Sequence, residues 1–547
     1  MGWERRSVGV SLGISALLVG GFAWNKYFSS GRGESFDSLR GQVVMAQGAF
    51  TDAQGRGGRS IPLPALSEGR DQEQATILSP VEKPEGFREE DNSRDSVSDK
   101  AEERSSDSFF TEGDYLGALS KQTPIYERPA RGSRLLGYAR TGSLLRRTAL
   151  PVSKEGCPGG WFAIAPQGFV CIDRAATLNL NHPLLQLASE QPDRTLALPY
   201  LYGRSRSPSP IFYTRIPTQD QQLLMEKDWE EHSRQPAAKL WTDVTTSNAP
   251  PLLSAGQRIP RPYGYPQLKR PFTTGRALRN STFSLIDLFH ENGRSWGLTA
   301  DLVLVALDRL VPVSPSSFRG LRLDGQIKLP VAFELSQSAR SYRFSDQGEP
   351  LSRGAVPHRA AQPLSGRQRV HAGSTWVETQ GGSWWKKSDS LRIVRTPKTW
   401  PAWASDGQTW VEVSLSQQVL IAYEGSRPVF VTLVSTGQKG YGGSDRSSST
   451  IKGVFKIHTK HITANMSGDG GDDEFDLRDV PWVQYFHEGF ALHSAFWHDS
   501  FGTARSHGCV NLSPEDAHYL FHWTEPAVPE DWHSALSREG TLVWVHR

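Results

Sequence analysis

Short runs in which hydrophobic and polar residues alternate recur through most of this chain. Period-two alternation is the signature of strands with one face buried. It is clearest after Pro401, where TWVEVSLSQQVLIAYEG and PVFVTLVSTG read as strands meeting at a Gly425–Ser426 turn and TIKGVFKIHTKH as a further strand. From Asp114 to Leu150 comparable runs are broken by Pro and Gly, the pattern of short strands in a small barrel. A second barrel-like pattern spans Leu329 to Val394 and ends in STWVETQGGSWWKKSDSLRIV, where aromatics flank a Gly-Gly turn. Trp384 and Trp385 can stack on sugar there, although hairpin packing is the plainer use. The expected fold class is therefore mainly β and multidomain.

The N-terminal pattern differs. Arg5 and Arg6 precede SVGVSLGISALLVGGFAW, apolar or small for about the length that spans a bilayer core. No small-x-small cleavage site follows, so residues 1–28 read as an uncleaved export anchor, with a cleaved signal peptide as the alternative. Residues 29–110 are rich in Gly, Ser and charge and poor in aromatics, a composition that cannot bury enough apolar surface to order itself. They form a tether with a reach of roughly 50 Å. The remaining divisions are a region at 111–195 whose segment through GWFAIAPQGFVC resembles the bacterial Src-homology-3-like barrels, an unassigned β-rich region at 196–325, a second barrel-like region at 326–397 and a C-terminal domain at 398–547. Within the unassigned region, WGLTADLVLVALDRLVPV reads as another strand pair.

Composition and charge narrow the function. A net charge of +3 over 547 residues lacks the basic excess of a dedicated nucleic-acid binder. Of three cysteines, Cys157 and Cys171 bracket CPGGWFAIAPQGFVC, where Pro158, Gly159, Gly160 and Gly168 let the chain turn and return. In an oxidising compartment this pair is expected to form a disulfide; two buried thiols are the alternative. Cys509 is then left alone as a reactive thiol.

Cys509 follows Gly508 and lies two residues beyond His507, with His493 upstream. A thiol becomes an effective nucleophile when an imidazole takes its proton. The small Gly508 allows backbone amides to approach a carbonyl oxygen closely. The string SHGCVN at 506–511, with ALHS at 491–494 and the upstream TIKGVF, resembles the catalytic signature of the L,D-transpeptidase family, over about Trp410 to Val545. The resemblance implies a β-rich sandwich in which Cys509 is the nucleophile, His493 the general base and Ser494 a residue that orients the base. His507, Gly508 and Cys509 would wall the oxyanion site. Ser506, Asn511, Trp497 and His498 are the candidate substrate-binding residues. One departure is the span of twelve residues between His493 and Ser506, shorter than the commonest form of the motif.

Zinc is the rival use of His493, His498, His507 and Cys509, but the ordinary ligand repeat is missing. DGGDDE at 469–474 lacks the ligand offsets of a calcium loop and reads as solvated. The resemblance implies an enzyme of the cell envelope, on the periplasmic side of the inner membrane, that acts on peptidoglycan stem peptides and needs no metal or organic cofactor. The wall glycan and the membrane are its expected partners. A wall-binding scaffold without catalysis, and an L,D-carboxypeptidase using water as acceptor, are the alternatives.

Overall fold

The alternating segments after Pro401 form one six-stranded sheet. Thr409–Ser414, Val419–Glu424 and Arg427–Leu433 pair antiparallel in sequence order, and Leu542–His546 adds to Thr409–Ser414 in parallel. Leu321–Arg322 and Gly453–Lys456 complete its edges. Both faces are covered, which explains the near-continuous apolar run VLIAY. Val411, Val413, Leu420, Ala422, Val543 and Val545 enter one core, while Trp410, Val419, Ile421, Tyr423 and Val431 enter another.

The structure is a computed structural model that describes residues 114–228, 241, 247–264, 272–405, 407–438, 449–468 and 475–547. The anchor at 1–28, the tether at 29–110 and DGGDDE at 469–474 lie outside the described residues. Among the described residues, no helix is long and apolar enough to cross a membrane.

Across the first core lie Thr459–Gly468, Phe475–His487, Phe490–Ser494 and Val510–Leu512, with the helix Pro514–Trp523 packed through Ala517, Leu520 and Phe521. That helix starts where Ser513 accepts a hydrogen bond from the Asp516 N–H, with Pro514 opening the first turn and Glu515 and Asp516 within it.

These strands belong to a seventeen-stranded sheet that also takes in most strands of the two N-terminal regions. Leu135–Ala139 pairs with Ser534–Leu536, setting Gly137 opposite Ala535. A Cβ on Gly137 would come within 2.0 Å of the Ser534 oxygen, so only glycine permits this approach. The hydrogen-bonding edge of the first region is thus spent on the C-terminal domain, and Leu116, Ile125, Phe162 and Val170 join its core. Only Tyr115–Ala118, Leu144–Arg146 and Ala176–Thr177 make a separate sheet of three strands. The barrel-like pattern of this region is thus built from sheets, with no closed barrel. Cys157 and Cys171 are bonded, with Cα atoms 5.9 Å apart.

WGLTADLVLVALDRLVPV folds as three strands, Arg294–Thr299, Leu304–Ala306 and Leu310–Pro312, rather than a pair, because a short helical turn at Leu307–Arg309 interrupts it. Charge accounts for that turn: Arg309 and Arg294 are buried against Glu226 and Asp308. Residues 331–394 form a seven-stranded sheet, also without closure, over a core of Ala332, Val356, Leu364, Val377, Trp385 and Leu391. Trp385 is core, whereas Trp384 lies on the opposite face.

Candidate active site

Cys509 stands at the head of Val510–Leu512, which runs parallel to Phe490–Ser494 with Leu492 opposite Val510 and His493 opposite Asn511. Carried back one residue, this register sets Cys509 opposite Ala491, which itself pairs with Tyr485 on the next strand. Alternate residues share a face. Tyr485, Ala491, His493, Cys509 and Asn511 therefore line one side of the sheet, while Leu492, Val510 and Leu512 fill the core on the other. On the site side, Cys509 and Trp497 pack against Val480, Val483, Tyr485 and Ala491.

His493 is 2% exposed, and its Nδ1 lies 2.9 Å from the main-chain oxygen of Ser494. A carbonyl only accepts, so Nδ1 carries the proton and Nε2 bears the lone pair. Burial pushes the imidazole down to about 4, leaving it neutral at physiological pH. The Trp497 ring stacks on it, centroids 5.8 Å apart. Ser494 thus holds the histidine through its backbone; its buried Oγ has no hydrogen-bond partner among the described residues.

The Cys509 thiol is pushed up to about 11 by burial, against the opposing effect of the Ala491 N–H directed at the sulfur. It donates toward the Gly489 oxygen at 3.5 Å. A neutral thiol and a neutral imidazole are therefore the resting forms.

Ser506 shapes the turn before the cysteine: its Oγ accepts from the Gly508 N–H at 3.0 Å and donates to the Cys509 oxygen. The Gly508 amide, expected to face a carbonyl, is thereby engaged inside the turn. Gly508 has φ 138°, and a Cβ there would meet the Phe490 ring at 2.9 Å. Thr450 donates to the Gly508 oxygen at 2.6 Å and accepts from the Gly437 N–H at 2.9 Å. His507 is exposed. His498 accepts from the Ser500 N–H at Nδ1, so its proton sits on Nε2, 3.0 Å from the Asn511 amide. The amide oxygen is the atom able to accept it, and amide oxygen and nitrogen exchange places by a simple flip.

The loop from His493 to Cys509 is pinned from two sides. Gly502 and Ser506 N–H groups donate to Val434 and Thr436. Arg359, from the seven-stranded region, pairs with Asp499, and Phe318 stacks on Phe501 at 5.8 Å. Thr450, Tyr485 and Arg359 were not singled out in the sequence. Thr450 opens TIKGVF and Tyr485 follows from strand register, but nothing local marks Arg359. Among the described residues, no group of three or more His, Cys, Asp or Glu is arranged to hold a metal ion.

The framework of this site, from Thr409 through His546, coincides with a recognisable unit. Residues 408–545 match the L,D-transpeptidase catalytic domain family. No curated protein matches the chain. Among solved structures, the NMR structure of the catalytic domain of an E. faecium L,D-transpeptidase is 22% identical, with 26% of this chain and 98% of that one covered and a TM-score of 0.20. An L,D-transpeptidase from Mycobacterium smegmatis is 18% identical over 33% of this chain and 77% of that one, TM-score 0.21. L,D-transpeptidase 3 from Mycobacterium tuberculosis, in complex with a faropenem-derived adduct, is 19% identical over 34% and 79%, TM-score 0.20.

Proposed function

We propose that the protein is a peptidoglycan L,D-transpeptidase, held at the periplasmic side of the inner membrane by residues 1–28. The observation that carries this reading is the fixed tautomer of His493: its Nδ1 is committed to the Ser494 oxygen, so a basic Nε2 is available on the face that bears Cys509.

The donor is a stem peptide in which an L-centred diamino-acid residue precedes a terminal D-Ala. As its carbonyl meets the sulfur, Nε2 takes the thiol proton and the S–C bond forms. The developing oxyanion falls to the turn before Val510 and chiefly to the Cys509 amide, because the Gly508 amide is engaged by Ser506. The C–N bond then breaks, D-Ala leaves with the proton from His493, and a thioester remains. An amine on a neighbouring stem attacks it and loses a proton to His493. A new amide forms, the C–S bond breaks, and the proton returns to sulfur. Trp497, His498 and Asn511 border the donor.

The test is mass spectrometry of the full chain incubated with disaccharide tetrapeptide. D-Ala release, a thioester adduct on Cys509 and a cross-linked dimer are expected, all three lost in Cys509→Ser. Undiminished product from Cys509→Ser overturns the reading, and tripeptide without dimer assigns water as the acceptor.

A further inference from the structure

The seven-stranded region has one ordinary face and one unusual one. Val377 and Trp385, paired across adjacent strands, lie in its core. An antiparallel sheet with one covered face normally presents polar side chains on the other. Here the other face carries rings. Glu378 pairs with Trp384 and Trp384 with Tyr342, so alternation puts Tyr342, Phe344, Trp376 and Trp384 together on that side. The rings meet edge to face: Tyr342 with Trp376 at 4.9 Å, Phe344 with Trp376 at 5.6 Å and Phe344 with Trp384 at 5.4 Å. Tyr342, Phe344 and Trp384 remain partly exposed. The Trp376 indole N–H, beneath them, has no hydrogen-bond partner among the described residues.

Cations surround the rings. Arg369, opposite Trp376, holds its guanidinium 4.2 Å from the Phe344 ring centroid, and Lys386, also opposite Trp376, is exposed. Arg367 is already matched by Glu378. Between residues 326 and 397 the chain has eleven Lys and Arg against five Asp and Glu, although the whole chain is nearly balanced. The positive charge is therefore a local property of this region.

We infer that the Tyr342–Phe344–Trp384 face binds an anionic glycan strand, sugar rings stacking on the aromatics and carboxylates meeting Arg369 and Lys386. Flat apolar rings suit pyranose faces, and cations beside them select a charged saccharide over a neutral one. The inference rests on the wall-enzyme reading above and gives it a second contact. Because Arg359 of the same region pairs with Asp499 in the active-site loop, a strand held here is presented to the site by a connected framework.

The experiment measures binding of the full chain to peptidoglycan glycan strands stripped of stem peptides, which retain lactyl carboxylates, and to a neutral N-acetylglucosamine oligomer. Binding of the stripped strands is expected, weaker by about tenfold for the neutral oligomer. Trp384→Ala, and separately the exposed pair Arg369→Gln with Lys386→Gln, should each lower affinity by about tenfold while acyl transfer on soluble disaccharide peptide is unchanged. Unaltered affinity in the charge-pair variant, or no binding by the parent chain, overturns the inference. A dimer in sedimentation that Trp384→Ala dissolves assigns the face to a second copy and also overturns it. Stripped strands carry no donor peptide, so loss of acyl transfer alone condemns the transpeptidase reading and loss of strand binding alone condemns this one.

Discussion

The hydroxyl of Tyr202 donates to the main-chain oxygen of Asp479 across 2.7 Å, and both residues are buried. The Asp479 carboxylate is clasped by Arg140 from the first region, Ser284 from the second and Thr463 from the neighbouring strand. Arg140 also lies 3.8 Å from Asp301, which pairs with Lys121 at 3.0 Å and Arg478 at 3.3 Å. Burial alone raises both carboxyls; the surrounding cations outweigh it and hold them below the ordinary range. Asp479 lies on the strand whose Val480, Val483 and Tyr485 pack the Cys509 side. Both N-terminal regions thus fix one wall of the site.

Removing one partner of such a cluster strands a buried charge. Asp479→Asn is expected to cost about 3–5 kcal/mol in urea unfolding, whereas replacing Arg140 and Asp479 together by Met and Leu should recover most of the loss. A cost below about 1 kcal/mol for the single change shows that the cluster does not tie the regions together.

Thiol reactivity reports the resting protonation state. With Cys509 raised to about 11, alkylation of the free protein by iodoacetamide should be slow at pH 7 and climb toward pH 11. The profile should be the same in His493→Ala, since the imidazole acts only as substrate arrives. A plateau between pH 6 and 8 that vanishes in His493→Ala would reveal a preformed ion pair instead.

The two site histidines should separate kinetically. His493→Ala is expected to lower kcat by 10²–10⁴-fold. His498→Ala loosens Asn511, opposite His493 in the sheet, and the border of the donor, but removes no group that moves a proton, and should cost about tenfold or less. Equal losses with both variants folded move the base elsewhere.

Acid should weaken the fold at pH values where ordinary carboxylates are still ionised, although Asp516, pushed up to about 6 by burial, offsets one group's share. Burial lowers His461, His493 and His498 to about 4 and His533 well below its ordinary value. Between the unfolded value near 6.5 and about 4 the unfolded chain binds more protons than the native one, so stability is present above pH 6.5 and is lost as pH falls. The slope is about 1.4 kcal/mol per pH unit for each group in that window. Tm measured at pH 7 and at pH 5 should fall accordingly, and an unchanged Tm shows that these rings are protonated in the fold.

Much of the catalytic framework was legible in the sequence because its information is local. Period-two runs around Trp410 and Leu420 gave strands, and SHGC placed a cysteine beside glycine and histidine. Non-local pairing was not legible. Nothing near Gly137 announces that its strand edge meets Ala535, so the barrel-like pattern of the first region carries no sign of that partner. The acidic and basic residues 301, 478 and 479 look solvated in sequence, since a buried ionic cluster is defined only by partners hundreds of residues away. The role expected of the Gly508 amide changed for a similar reason: Ser506, two residues earlier, claims it once the turn forms.

The pairing of Gly137 with Ala535 also orders the protein's biosynthesis. The edge of Leu135–Ala139 is made early, and its partner about 400 residues later, which at ordinary translation speeds is a wait of roughly 20–80 s. Through that interval the nascent chain carries an open strand edge, the kind of surface that recruits foreign strands. Residues 534–536 therefore close an edge made about 400 residues earlier, and a chain truncated before Ser534 leaves the edge of Leu135–Ala139 unsealed.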